Sequence, residues 1–300
     1  MFLRMIPRWR LCEVFGIPLY LDPSLAILLL FFATGGSSLF SGLVYAVLLL
    51  ASIVAHELGH ALTARRYGCF TRDITLSLLG GCASLESIPR RPMAEFTVAV
   101  AGPLVSFACA SIAFAAMSLI ASDGGFSGVM NYAWSAFSGA DLWTVRKMGK
   151  VLFFDSQFGV HHFLKVSNDA LELFNALLYV GCTNVMLGLF NLLPGFPMDG
   201  GRVFRSIMAN FTSRTKATYY AMVVGRVFAV MLGIMGLYRF TVGRSWGLVT
   251  CLIAYMIWRS GYREYLSVLD ESDGPFDGWS ARVGPPPYGG DGEEVEVRRF

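Results

Sequence analysis

Long apolar runs, separated by short polar and Arg-rich segments, dominate the chain. Six of these runs approach the length of a membrane span, which is about 20 residues. They cover residues 19–33, 41–64, 94–121, 170–193, 218–238 and 246–258. The pattern predicts an all-α polytopic membrane protein with about six transmembrane helices.

Two segments within this frame differ from simple membrane helices. Residues 71–88 read TRDITLSLLGGCASLESI, with β-prone residues on both sides of Gly80 and Gly81. Two such runs around a Gly-Gly pair predict a β-hairpin that turns at the glycines. Because this hairpin directly follows the second span, we expect it to re-enter the bilayer. The loop at 122–168 mixes aromatic and charged residues, and we expect it to hold a short interfacial helix.

The positions of Lys and Arg predict the orientation, because cytoplasmic loops are enriched in them. Basic residues cluster before the first span and after the second, fourth and sixth spans. Both termini are therefore predicted to be cytoplasmic. The chain divides into a cytoplasmic N-terminal segment at 1–18, a membrane domain at 19–268 with its outer loop at about 122–168, and a tail at 269–300. The tail is rich in Gly, Pro and acidic residues and is predicted to be disordered.

Composition agrees with a membrane protein and narrows the function. The 300 residues are 55% hydrophobic and 15% charged, with a mean hydropathy of +0.55. These values exclude a mainly soluble enzyme, an extended coiled coil and a disordered chain. The net charge of +3 lacks the concentrated basic face of nucleic-acid-binding proteins, so we expect no nucleic-acid partner.

The second span contains the sequence HELGH. Residues four apart lie on one helix face, so His56 and His60 can bind a single cation, and Glu57 can act as a general base on a water at that cation. Ionisable residues within an apolar span are functional by default. The alternative is a pair of hydrogen-bonded structural histidines, but the HExxH spacing favours a zinc site.

A catalytic zinc ion takes three protein ligands, so a third one is needed. His161 and His162 lie in the outer loop, whereas the zinc site is predicted to lie near the cytoplasmic face of the membrane, so these two histidines are not expected to bind the zinc ion. Asp199 follows the fourth span in PGFPMDGG, where prolines end the helix and two glycines allow a tight turn. Asp199 has an alternative role as a helix-stop residue in a polar turn. Its predicted depth favours the role of third ligand.

HELGH in one span and NLLPGFPMDGG at the end of a later one resemble the site-2 protease family of intramembrane zinc metalloproteases. The resemblance implies that one Zn²⁺ per chain is bound by His56, His60 and Asp199. It also implies that Glu57 is the catalytic base and that Asn191 lines the active site as a hydrogen-bond donor to the oxyanion. The hairpin would pair with an unwound segment of the substrate.

The chain departs from the family pattern in three respects. Family members often carry Asn a few residues after the Gly-Pro of the third span, where this chain has Ser106, and we assign no catalytic role to that serine. No PDZ domain fits in the outer loop. The tail is too short for tandem cystathionine-β-synthase domains.

The expected function is regulated intramembrane proteolysis of single-span membrane proteins within the lipid bilayer, with an upstream site-1-type protease as a further expected partner. The compact size suggests a bacterial inner membrane. Two other functions remain open, a metal transporter and an inactive scaffold that keeps the fold. One HExxH and one Asp form a single closed site without an exit route, which disfavours transport.

Overall fold

The protein is mostly helical in its computed structural model, which describes residues 8–26, 39–77, 80–85, 91–121, 125–138, 142–147, 150–155, 164–243 and 246–272. The helices are α1 (Leu39–Arg66), α2 (Pro92–Ile120), α3 (Gly125–Ser138), α4 (Leu171–Asn191), α5 (Asp199–Met208), α6 (Arg214–Thr241) and α7 (Trp246–Ser272). The strands are β1 (Trp9–Val14), β2 (Ile17–Leu21), β3 (Thr71–Ser77), β4 (Gly80–Leu85), β5 (Leu142–Lys147), β6 (Lys150–Asp155) and β7 (Leu164–Ser167).

Four of the described helices are long and apolar enough to cross a membrane, namely α1, α2, α4 and α6. They correspond to the second to fifth apolar segments of the sequence, which confirms those predictions to within a few residues. The chain is therefore an integral, multi-pass membrane protein.

The prediction that the first span begins at residue 19 is wrong. Residues Ile17–Leu21 form β2, which is followed by a turn in which the backbone N–H of Ser24 donates to Asp22 Oδ1 at 2.9 Å. The apolar character of this segment arises because β2 pairs with β1 and β3 and buries Ile17 and Leu19. Residues 27–33, the end of the predicted span, lie outside the described residues.

The all-α class is also too narrow, because two small sheets accompany the helices. The first sheet has the order β1-β2-β3-β4, with β2 parallel to β3 and the other pairs antiparallel. Its buried residues pack on Ile53 and Ala61 of α1. The sequence suggested only the β3–β4 hairpin, since the β2–β3 pairing joins segments about fifty residues apart.

The predicted hairpin is present, but its turn is not at the glycines. Gly80 pairs with Ser77 and Gly81 pairs with Leu76, so both glycines belong to β4. The backbone freedom of glycine made the pair a strong turn signal, although glycine is also accommodated within strands.

The predicted outer loop contains more structure than one short helix. Helix α3 matches that expectation, and β5, β6 and β7 add a three-stranded antiparallel sheet. His161 and His162 lie outside the described residues. At the other end of the chain, α7 continues to Ser272, and the tail beyond it also lies outside the described residues.

Helix α2 occupies the centre of the membrane domain and contacts α1, α4 and α5. Helices α1 and α2 approach each other closely at Gly59, where an added Cβ would lie 2.8 Å from the carbonyl oxygen of Ala101 and 2.9 Å from a methyl carbon of Val105. A glycine at this position lets the two backbones meet, as small residues do at helix contacts in membranes. The face of α1 that carries the histidines is thereby held against α2.

Candidate metal centre

The two histidines of HELGH lie one turn apart on the face of α1 that packs on α2. Both side chains are buried, with relative exposures of 2% for His56 and 5% for His60. The Nε2 atoms of the two rings lie 3.2 Å apart. The i, i+4 spacing thus brings two imidazole nitrogens to one point, as the sequence predicted.

Helix α2 holds the other nitrogen of each ring. His60 Nδ1 lies 2.8 Å from the carbonyl oxygen of Val98, and His56 Nδ1 lies 2.9 Å from Ser106 Oγ. A carbonyl oxygen only accepts, so His60 Nδ1 carries the hydrogen and donates it. In the neutral ring this leaves the Nε2 lone pair free for a metal, and Ser106 Oγ can accept from His56 Nδ1 in the same way.

Asp199 reaches the histidines from a tight turn between α4 and α5. An added Cβ at Gly200 would overlap the carbonyl oxygens of Leu192 and Leu193, and one at Gly201 would lie 2.7 Å from the carbonyl carbon of Gly195. Only glycine fits at these two positions, because the start of α5 lies directly on the backbone of the preceding turn. The Asp-Gly-Gly sequence therefore fixes where the carboxylate emerges.

The carboxylate completes a three-residue cluster. Asp199 Oδ2 lies 3.1 Å from His56 Nε2 and 3.0 Å from His60 Nε2, and the Asp199 side chain is 13% exposed. One oxygen of the Asp199 carboxylate therefore faces both imidazole Nε2 atoms, in the position of a third ligand.

The donor set and its spacing fit a zinc ion. Zinc binds imidazole nitrogen and carboxylate oxygen at about 2.0–2.2 Å, so adjacent ligand atoms of a tetrahedral site lie about 3.3 Å apart. The three donor-atom distances here are 3.0, 3.1 and 3.2 Å. Three lone-pair atoms this close repel one another unless they share a positive charge, which a divalent ion would supply.

Gly102 of α2 forms one wall of the same space. An added Cβ there would overlap His60 Nε2 and lie 2.8 Å from His56 Nε2. The missing side chain leaves room beside the two nitrogens that face Asp199. We call this space, bounded by Gly102, His56, His60 and Asp199, the metal cradle.

The structure locates the two other predicted site residues without assigning their roles. Glu57 follows His56 on α1, is partly exposed and lies close enough to His60 for an electrostatic interaction. Asn191 is the last residue of α4, and its amide Nδ2 donates to the carbonyl oxygen of Leu187 at 2.9 Å. The catalytic roles of both residues remain predictions.

Sequence reasoning missed the contribution of α2. Ser106 was noted only as a departure from a family pattern, yet it is fully buried and contacts His56. The contact joins positions 50 residues apart. A polar residue one turn after Gly102-Pro103, within a mostly apolar span, was the available signal.

A comparison with protein-family models identifies the chain. The model of Peptidase family M50 matches residues 44–232, a region that holds both histidines and Asp199. The chain belongs to Peptidase family M50.

Individual relatives agree with this result. The chain is 31% identical over 266 residues to a Synechocystis protein assigned as a zinc metalloprotease, covering 83% of this chain and 57% of that protein. It is 31% identical over 231 residues to a zinc metalloprotease of Methanocaldococcus jannaschii, covering 76% of this chain and 53% of the relative. The chain thus spans about half the length of these curated relatives.

A solved structure supports the fold. The site-2 protease of Methanocaldococcus jannaschii is similar to this chain with a TM-score of 0.52 and 25% identity, over 86% of this chain and 95% of the solved one. The resemblance to the site-2 proteases that the two motifs suggested is confirmed.

Replacing Ser106 with alanine should weaken metal binding. The S106A variant removes the acceptor for His56 Nδ1, and loss of such a partner typically lowers metal affinity about 10- to 100-fold. Zinc affinity is measured by competition with a chromophoric chelator. The matched control is S111A, since Ser111 lies on the same helix, is exposed and bonds only the carbonyl of Phe107 among its described contacts. Equal affinities for the two folded variants would contradict this role of Ser106.

Replacing Gly102 with alanine should abolish zinc binding, because the new methyl group would occupy the space between the imidazoles. Metal content after purification in zinc is the measurement. G233A is the control, since an added Cβ at Gly233 in α6 meets only Ala254 Cβ, at 3.8 Å. A folded G102A protein with the zinc content of G233A would show that zinc binds elsewhere than in the metal cradle.

Proposed function

We propose that this protein is an intramembrane zinc endopeptidase that hydrolyses peptide bonds of transmembrane substrate proteins. The observation that carries the proposal is the convergence of His56, His60 and Asp199 within 3.2 Å of one another in a buried site of a multi-pass membrane protein. Membership of Peptidase family M50 supports the same reaction class.

The mechanism assigns each step to a group of this chain. A bound zinc ion would supply a Lewis acid and lower the pKa of a coordinated water. Glu57 would accept a proton from the attacking water and pass it to the leaving amide nitrogen. Val98 and Ser106 would hold the imidazoles in the tautomer that leaves Nε2 free.

We assign Asn191 to the oxyanion. Its amide group carries two N–H bonds, of which one is used by the carbonyl of Leu187. The second would donate to the oxygen of the scissile carbonyl as negative charge develops there. Such donors are typically worth about 10²–10³ in rate.

The substrate segment would be held as an extended strand. In the described part of the first sheet, β4 is the last strand in the order, so its outer edge has no strand partner. The sheet packs on α1 through Ile74 and Leu76, close to the turn of α1 that carries His56 and His60. Strand addition to β4 would replace the hydrogen bonds that a substrate helix loses when it unwinds.

The membrane arrangement completes the proposal. We propose that α7 crosses the bilayer in addition to the four candidate spans, and that the chain has about six spans with both termini in the cytoplasm. The hairpin would re-enter the bilayer beside α1. The substrates would be single-span proteins of the bacterial inner membrane, cleaved after trimming by an upstream site-1-type protease.

Replacing Glu57 with glutamine tests the reaction. E57Q should keep zinc, because the three ligands are unchanged, and should lose about 10²–10⁴ in cleavage rate with the general base. Purified protein in lipid nanodiscs is incubated with single-span membrane proteins, and new termini are mapped by mass spectrometry.

The control is E172Q, since Glu172 is exposed in the first turn of α4. Cleavage by E57Q at the rate of E172Q would refute the assigned base. Zinc flux into proteoliposomes without cleavage by the wild-type protein would favour the transporter, and zinc binding with neither activity would favour the scaffold.

A further inference from the structure

Arg205 is the largest fully buried side chain among the described residues. It lies in α5, six residues after Asp199, and its relative exposure is 0%. A buried guanidinium is strongly destabilising unless it is paired and hydrogen-bonded. Its partners therefore show which parts of the structure this side chain connects.

The partners of Arg205 come from two other helices and from the turn before Asp199. Its Nε donates to Glu95 Oε1 at 2.9 Å, and a terminal nitrogen donates to the same oxygen. The other terminal nitrogen donates to Glu264 Oε1 at 2.7 Å. The guanidinium also stacks over the ring of Phe196, with 4.9 Å to the ring centroid.

These contacts fix both sides of the third metal ligand. Phe196 lies three residues before Asp199 and is 2% exposed, and Arg205 lies six residues after Asp199 in α5. The Arg205 side chain thus connects α5, which begins at Asp199, to the turn before Asp199 that contains Phe196.

The same ion pair connects Asp199 to the helix that orients the histidines. Glu95 is in the first turn of α2 and is 2% exposed. Val98, one turn further along α2, accepts from His60, and Ser106 contacts His56. All three metal ligands are therefore positioned relative to α2, the histidines by direct hydrogen bonds and Asp199 through Arg205 and Glu95.

We propose that Arg205 is a positioning residue that sets the distance between Asp199 and the two imidazoles and thereby the affinity for the metal. The inference rests on the proposed metal site. Arginine suits this role because its planar fork bonds Glu95 through two nitrogens while its face stacks on Phe196. Lysine keeps the charge but provides neither the fork nor the stacking surface.

The network supplies a matched control. Arg214, in the first turn of α6, contacts the other oxygen of Glu95 at 3.3 Å, and its side chain is 28% exposed. Replacing Arg214 with lysine makes the same chemical change at the same carboxylate, but it leaves the contact between α5 and Phe196 intact. Both variants weaken an ion pair with Glu95, but only R205K alters the contacts that position Asp199. A loss of zinc affinity in R205K alone would therefore be due to the position of Asp199.

The experiment compares the full-length wild-type, R205K and R214K proteins in detergent. Zinc affinity is measured with zinc alone by chelator competition, and the coordination geometry is read from the visible absorption of the cobalt-substituted proteins. We expect R205K to lose about tenfold or more in zinc affinity, with an altered cobalt spectrum. R214K should keep the wild-type spectrum and lie within about twofold of wild-type affinity.

Folding is monitored by thermal unfolding of the metal-free proteins. If R205K does not fold, E95D provides the test, since it shortens the same connection by one methylene group and should weaken zinc binding in the same way. A folded R205K or E95D with wild-type affinity and spectrum would overturn the role of Arg205. Absence of zinc binding by the wild-type protein would instead refute the proposed function.

Discussion

The close approach of two imidazoles and one carboxylate inside an apolar helix bundle is the constraint on which the structure depends. The three donor atoms lie within 3.2 Å of one another, and both histidines are at least 95% buried. Lone pairs at this distance, away from bulk water, repel one another unless a proton or a metal ion lies between them. The packing of α1, α2 and the Asp199 turn therefore places three donor atoms where a shared positive charge stabilises them.

Helix α2 meets this constraint without contributing a ligand. Gly102 leaves space for the ion, while Val98 and Ser106 orient the imidazoles. Gly59 on α1 allows the close helix contact that makes these hydrogen bonds possible. The first sheet also packs on α1 near the same turn, and β4, the last strand of that sheet within the described residues, contacts this helix. In the proposed reaction, metal binding and strand addition of the substrate would therefore involve the same helix.

The parts of the site that the sequence predicted are local. The HELGH spacing sets two ligands on one helix face, and Asp-Gly-Gly after a proline-broken span fixes the third, because both depend on backbone geometry over a few residues. The Ser106–His56 contact and the Arg205–Glu95 pair join residues 50 and 110 positions apart, and no periodicity marks such pairings. The wrong prediction of the first span has the same cause. The apolar residues of β2 are buried in a sheet in which β2 pairs with β3, about fifty residues further along the chain, and the sequence pattern does not show that pairing.

X-ray absorption at the zinc edge of the zinc-loaded, full-length protein tests the central claim most directly. The account predicts one zinc ion per chain, with outer-shell scattering from two imidazoles and nitrogen and oxygen ligands at about 2.0–2.2 Å. A sulfur shell at about 2.3 Å, or an oxygen-only shell without imidazole scattering, would contradict it.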